Sequence, residues 1–261
     1  MISRMAPSFM LRTFDQAGYY ETRCVLLFAV VGVVVWQWLV RRERAFAVLF
    51  ASGVFFQALM EWILLALGLR GADYHLSVFG VELRGTAACL FQGLAEGGVF
   101  GVMGYWLISL SRPSVTRRAS LLAYAMLGGL IVALSIGVGV AARGKPISSA
   151  RPMFAELPIL ILVLQTIALL AIVWLKGGRA FHYLGIYYLG TLIYVALNFE
   201  PMHLLGARYI GLKVASRTFE AAGPARQFWD MLYSHLFEVA GGKIHYFIFP
   251  YVLGMIRPGK D

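Results

Sequence analysis

Apolar residues run through this chain in long blocks. Apolar windows cover residues 24–40, 45–67, 87–110, 120–140, 153–175, 183–204 and 235–256, each near the roughly 20 residues that a helix needs to cross the hydrocarbon of a bilayer. The pattern predicts an all-α, polytopic membrane helix bundle with about seven transmembrane helices. Tyr19 and Tyr20 before the first window, and Trp36 and Trp38 within it, suit anchors at the membrane–water interface. Only Arg41-Arg42-Glu43-Arg44 joins the first two windows, so these must form a hairpin. Residues 1–23 read as an N-terminal interfacial segment, 24–256 as the membrane domain and 257–261 as a tail. Inside the domain, 205–234 mixes Tyr209, Leu212, Phe219, Phe228 and Trp229 with Arg208, Lys213, Arg217 and Arg226. That mixture predicts an amphipathic helix lying in the interface, broken at Gly223-Pro224.

Composition agrees with lipid as the solvent. The 261 residues are 60% hydrophobic and 14% charged, against about 25% charged in soluble domains, and the mean hydropathy is +0.73. The net charge of +10 does not indicate nucleic acid, because the basic residues sit between hydrophobic blocks and form no continuous face. They set topology instead. Arg41, Arg42 and Arg44, then Arg112, Arg117 and Arg118, then Lys176 and Arg179, and finally Arg257 and Lys260, crowd the odd-numbered connections and the tail. The positive-inside rule then expects an N-terminus outside and a cytoplasmic C-terminus, in a multi-pass protein of a bacterial inner membrane. The connection ARGKPISSAR between the fourth and fifth windows is basic on the opposite side.

Ionisable side chains inside spans are costly, about 2.5–3.5 kcal/mol each at the centre, and are read as functional by default. Glu61 has Gln57 one turn before it, and Glu96 has Gln92, so each carboxylate shares a helix face with an amide. Asn198, Glu200 and His203 close the sixth window; His235, Glu238, Lys243 and His245 open the seventh, and Glu156 opens the fifth. Alternating chain direction brings span ends at even numbers beside span starts at odd numbers, so all these groups fall in one half of the bilayer. Gly93, Gly97 and Gly101 form a four-residue ladder that admits a neighbouring helix closely, which makes the third helix central.

This arrangement points to an intramembrane enzyme that acts on a lipid-soluble substrate, such as an isoprenoid, sterol or acyl lipid, through acid–base chemistry of buried carboxylates. Glu96 is expected as the central acid or base and Glu61 as its partner, with His235, Glu238 and His245 completing the catalytic set. Gln57, Gln92, Trp62, Tyr194, Asn198, Glu200 and His203 are expected to line the substrate. An ion-coupled transporter and a non-catalytic subunit or assembly factor, the latter with membrane-protein partners, are the alternatives. No cofactor is required, although two or three histidines with a carboxylate leave room for a single zinc. With five histidines in all, the chain cannot supply the histidine boxes of membrane di-iron enzymes. Lys243 in the last span has neither the arginine nor the aspartate context of a retinal protein.

Overall fold

The computed structural model describes residues 7–15, 17–68, 70, 74–154, 156–215 and 218–258 and is mostly helical, 69%. Strand β1 (Ser8–Arg12) leads into α1 (Tyr19–Leu39) and α2 (Ala45–Ala66), followed by a hairpin of β2 (His75–Val78) and β3 (Val81–Arg84). Helix α3 (Thr86–Gln92) continues through a π-helical turn, Gly93–Gly97, into α4 (Gly98–Ser111). Next come α5 (Arg117–Ala141), β4 (Ser149–Pro152), α6 (Glu156–Lys176) and α7 (Gly178–Leu204). Strands β5 (Arg208–Ala215) and β6 (Thr218–Ala221) precede α8 (Pro224–Tyr233), a second π-helical stretch Ser234–Ala240, a 3-10 turn Gly241–Lys243 and α9 (His245–Val252).

Among the described residues, five helices are long and apolar enough to cross a membrane: Tyr19–Leu39, Ala45–Ala66, the continuous Thr86–Ser111, Arg117–Ala141 and Gly178–Leu204. The fifth window contains a shorter apolar stretch, Leu162–Lys176, and the seventh is broken. Its helical path is irregular over Ser234–Lys243 and contains a proline further on, and neighbouring helices serve the backbone at both places. Pro250 has no N–H to offer the carbonyl of Tyr246 one turn earlier, and the hydroxyl of Ser52 on α2 donates to that carbonyl at 2.8 Å instead. Likewise Tyr188 donates to the Leu236 carbonyl at 3.0 Å inside the second π-helical stretch. Irregular backbone survives at this depth because neighbouring helices satisfy it.

The glycine ladder decides the packing. A Cβ on Gly97 would lie 2.2 Å from the Gly53 carbonyl oxygen of α2, and one on Gly101 would lie 2.1 Å from that of Leu49. On its other side α4 meets α7, where a Cβ on Gly190 would approach the Gly104 oxygen at 2.7 Å. The third window is therefore the central element, and its buried face includes Val99, Met103, Tyr105 and Trp106.

Segments far apart in sequence pair into an antiparallel sheet of order β4-β1-β5-β6 at one end of the bundle. Residues 205–234 thus depart from the expected single interfacial helix. Burial nearly alternates along the start of β5 and buries Arg208 and Ile210, a strand period, and only α8 is the amphipathic helix anticipated there; Arg217 lies outside the described residues. The N-terminal segment also differs: it supplies β1, and α1 already begins at Tyr19. Met10, Met153, Ile210 and Met231 form a small core between the sheet and α8, so the sheet caps the bundle rather than standing apart from it.

The opposite end is closed by Glu43, in the short α1–α2 connection. Its carboxylate accepts from Tyr105 at 3.2 Å, Ser109 at 2.8 Å and Arg112 at 2.6 Å. A charged acceptor tying three groups of α4 and its C-terminus to the first hairpin is worth about 1.5–3 kcal/mol per bond to charge. Glu43→Gln is expected to lower the thermal midpoint in detergent by several degrees without changing any activity.

A polar cluster beneath the sheet as candidate functional site

The polar end expected from chain direction resolves into two networks and the separate surroundings of Glu96. In the first, Arg70 grips Glu61 with Nε on Oε2 at 2.9 Å and Nη2 on Oε1 at 2.7 Å. Gln57 also donates to Glu61 at 3.0 Å. The Gln92 amide, oriented to satisfy its neighbours, donates to the same carboxylate at 3.0 Å and meets the Tyr74 hydroxyl. The Gln57 carbonyl in turn accepts from Tyr246 at 2.7 Å and from the Lys243 ammonium. Lys243 lies 5.6 Å over the Phe100 ring, one turn along from Glu96.

Glu96 stands differently. It sits half-buried on the π-helical turn and accepts from Tyr19 at 3.1 Å, and no cation lies within 4.0 Å of it among the described residues. Tyr19 also forms a platform for Arg23, whose guanidinium lies 4.3 Å from the ring centroid. Arg23 is buried on α1 and donates to Tyr194 at 3.3 Å and Asn198 at 2.6 Å. Arg23 thus joins Tyr194 and Asn198 of α7 to the Tyr19–Glu96 pair, although it lies just outside the first apolar window.

In the second network, Arg208 is 1% exposed, lies 4.0 Å over the Phe199 ring and donates to Ser234 at 3.2 Å. Its Nη1 faces His235 Nε2 at 3.3 Å. A guanidinium has donors only, so in the neutral imidazole Nε2 carries the lone pair and Nδ1 the proton, which points to Glu200 Oε1 at 3.0 Å. Burial, with Arg12 and Arg151 close by, pulls the Arg208 guanidinium down to about 9. His203 is engaged with the Arg208 carbonyl at 3.0 Å, and Glu238 pairs with Arg151 of β4 at 2.5 Å.

The expected residues are thus brought to one end of the bundle but not to a single point. His245 is turned toward Gln165 of α6 and packs edge-on against Phe56, 5.0 Å between centroids. Trp62 is 50% exposed and lines an outer apolar groove of about 560 Å³ between α2 and α3, with Phe50, Val54, Leu90 and Leu94. It walls a tail-sized groove rather than the carboxylates. Only the backbone of Glu156 falls within the described residues. Among those residues no three His, Cys, Asp or Glu side chains converge to hold a metal ion.

Arg23, Arg70, Arg208 and Tyr19 are participants that sequence reasoning misses. Their signal is weak, since each lies outside an apolar window. Arg70 is the easiest to test. Arg70→Met leaves Glu61, 6% exposed at its side chain, without its cation. Removing one partner of a buried pair costs about 3–5 kcal/mol, and the lower end is expected because Arg70 is 33% exposed. Adding Glu61→Gln should return more than half of that loss, read by thermal unfolding of the two variants.

No protein-family model, curated protein or solved structure matches this chain.

Proposed function

We propose that the protein is an intramembrane enzyme that moves a proton on an amphiphilic lipid, with Glu96 as the general acid or base. One observation carries this reading. Of Glu61, Glu96, Glu200 and Glu238, the first, third and fourth are each paired with a cationic or imidazole partner, whereas Glu96 has the Tyr19 hydroxyl. A carboxyl group that is half-buried and not committed to an ion pair can change protonation state during a reaction, and a committed one cannot without breaking its pair. Its place on a π-helical turn fits as well, since such turns concentrate at functional sites. Tyr19, Lys243 and the aromatic face of Phe100 surround the space where charge would develop. The groove beside Trp62 supplies an apolar seat for a chain.

In this reading seven segments span the bilayer, five as long helices, one through the apolar stretch Leu162–Lys176 of α6 and one through the irregular segment from Ser234 to Val252. The sheet lies on the outer side. Pairing of Arg151 with Glu238, and burial of Arg208 on the inner face of β5, reduce the free basic charge that opposes this orientation. The transporter alternative needs a polar route through both halves, and the Glu43 network closing the far end favours the enzyme. Substrate class within the lipids, and an inner-membrane location, are part of the proposal.

The test is solvent-proton exchange. The purified protein is incubated with a total membrane lipid extract in deuterated buffer, and deuterium in each lipid is read by mass spectrometry. One lipid class should gain label with the parent and not with Glu96→Gln. Equal labelling by both, or none by either while the protein stays folded, would sink the proposal.

A further inference from the structure

We infer that Arg12 and Arg208, side by side on the inner face of the sheet, form the seat for a phosphate-type oxyanion. This rests on the enzyme reading above and deepens it, because it makes the substrate's polar end an anionic phosphate group held above Glu96. The strand register supplies the geometry. Arg12 of β1 is directly opposite Arg208 of β5, while Met10 is opposite both Ile210 and Arg151. Residues two apart share a face, so Arg12, Arg208 and Arg151 all stand on the face that carries buried Met10 and Ile210. Directly opposite residues bring their Cβ atoms to about 4.5–5.5 Å, and like charges so placed repel.

No close anion offsets that repulsion. Among the described residues no carboxylate lies within 4.0 Å of either Arg12 or Arg208. The nearby acids are already engaged, Glu238 by Arg151 and Glu200 by His235. Arg208 is buried, yet its Nε has no hydrogen-bond partner, and the same holds for Nε of buried Arg23. A buried guanidinium with an idle donor is expensive, and the half-buried like charge of Arg12 opposite it adds to that cost. A fold that maintains both is complementary to an anion it does not itself contain. Guanidinium groups recognise phosphate through paired N–H donors, and two such groups match a doubly charged phosphomonoester better than a single carboxylate.

The arrangement also connects seat and chemistry. Arg12 lies 5.7 Å over the Phe14 ring, and Phe14 packs on Tyr19 with centroids 4.6 Å apart. Tyr19 donates to Glu96. A phosphate held by the sheet would therefore sit at the start of an aromatic run, Phe14 and Tyr19, that ends on Glu96.

The experiment is thermal unfolding of the full chain in detergent, with two probes. One is inorganic phosphate titrated against chloride at matched ionic strength; the other is dioleoyl phosphatidic acid titrated against dioleoylglycerol. A ligand that binds only the folded state raises the midpoint in a saturable way. Phosphatidic acid should do so, and Arg12→Gln and Arg208→Gln should each weaken the effect at least about tenfold, the loss of one charge-assisted contact. Stabilisation by inorganic phosphate as well assigns the seat to the free oxyanion; stabilisation by phosphatidic acid alone assigns it to a lipid headgroup. Should Arg208→Gln fail to fold, the half-buried Arg12→Gln decides. Absence of stabilisation by both probes, or equal stabilisation of the parent and Arg12→Gln, overturns the inference. Glu96→Gln should retain phosphatidic acid binding, so failure of the exchange chemistry and failure of the anion seat are read separately.

Discussion

Gly97→Ala should fail to give a stably folded protein, or give one whose unfolding free energy is reduced by about 3 kcal/mol or more. Overpacking in a rigid interior typically costs about 1–3 kcal/mol when side chains can yield. Here the new methyl would lie 2.2 Å from a backbone oxygen, that of Gly53, and 2.5 Å from the Gln57 Cβ. Neither is the loose end of a side chain, so α2 would have to move away along its length. That movement would also separate Glu61 and Gln57 on α2 from Gln92 and Glu96, since the contact lies one residue from Glu96. Thermal unfolding in detergent, with binding of a conformation-sensitive dye as a second probe, measures it. Gly32→Ala is the control, because a Cβ there meets nothing within 4 Å. It should be neutral or slightly stabilising, by up to about 1 kcal/mol, as expected for glycine replaced in a helix. Equal behaviour of the two variants would mean that α2 and α4 are not in backbone contact.

Glu96→Gln is expected to lower the rate of solvent-proton exchange into the lipid substrate by about 10²–10⁴, the usual contribution of a positioned acid or base. The amide keeps the size of the carboxyl and still accepts from Tyr19, so folding should be nearly unchanged. Tyr19→Phe removes the hydroxyl that orients Glu96 and should slow exchange by a smaller factor, without abolishing it. Arg70→Met with Glu61→Gln provides the contrast. Its effect should fall mainly on stability, because Glu61 is already committed to Arg70 on one side and to two amides on the other. A rate loss for Glu61→Gln as large as that for Glu96→Gln would move the acid–base role to the pair and away from Glu96 alone.

Much of this architecture is legible in the order of residues along the chain. Apolar windows locate helices because a backbone in lipid must satisfy its own hydrogen bonds, and a helix does so locally. Alternating direction then sorts polar residues to one end whatever the absolute orientation, and Glu61, Glu96, Asn198, Glu200, His203, His235 and Glu238 are found there. Gly93, Gly97 and Gly101 predict a close neighbour because the absence of a Cβ is visible in sequence. Tertiary structure alone decided how those residues are partnered. The partner of that glycine ladder, Gly53, lies on a different helix. The whole sheet could not be foreseen, because β1 pairs with segments as distant as residues 149–152 and 208–212, and only β5 and β6 are local partners. The same long-range pairing sets Arg12 opposite Arg208. Arg23 and Arg70 read as loop charges until folding carries them inward, to Asn198 and Glu61. Local periodicity reports how one segment meets its solvent; which charges neutralise one another, and which are left over, depends on contacts between segments that no local pattern encodes.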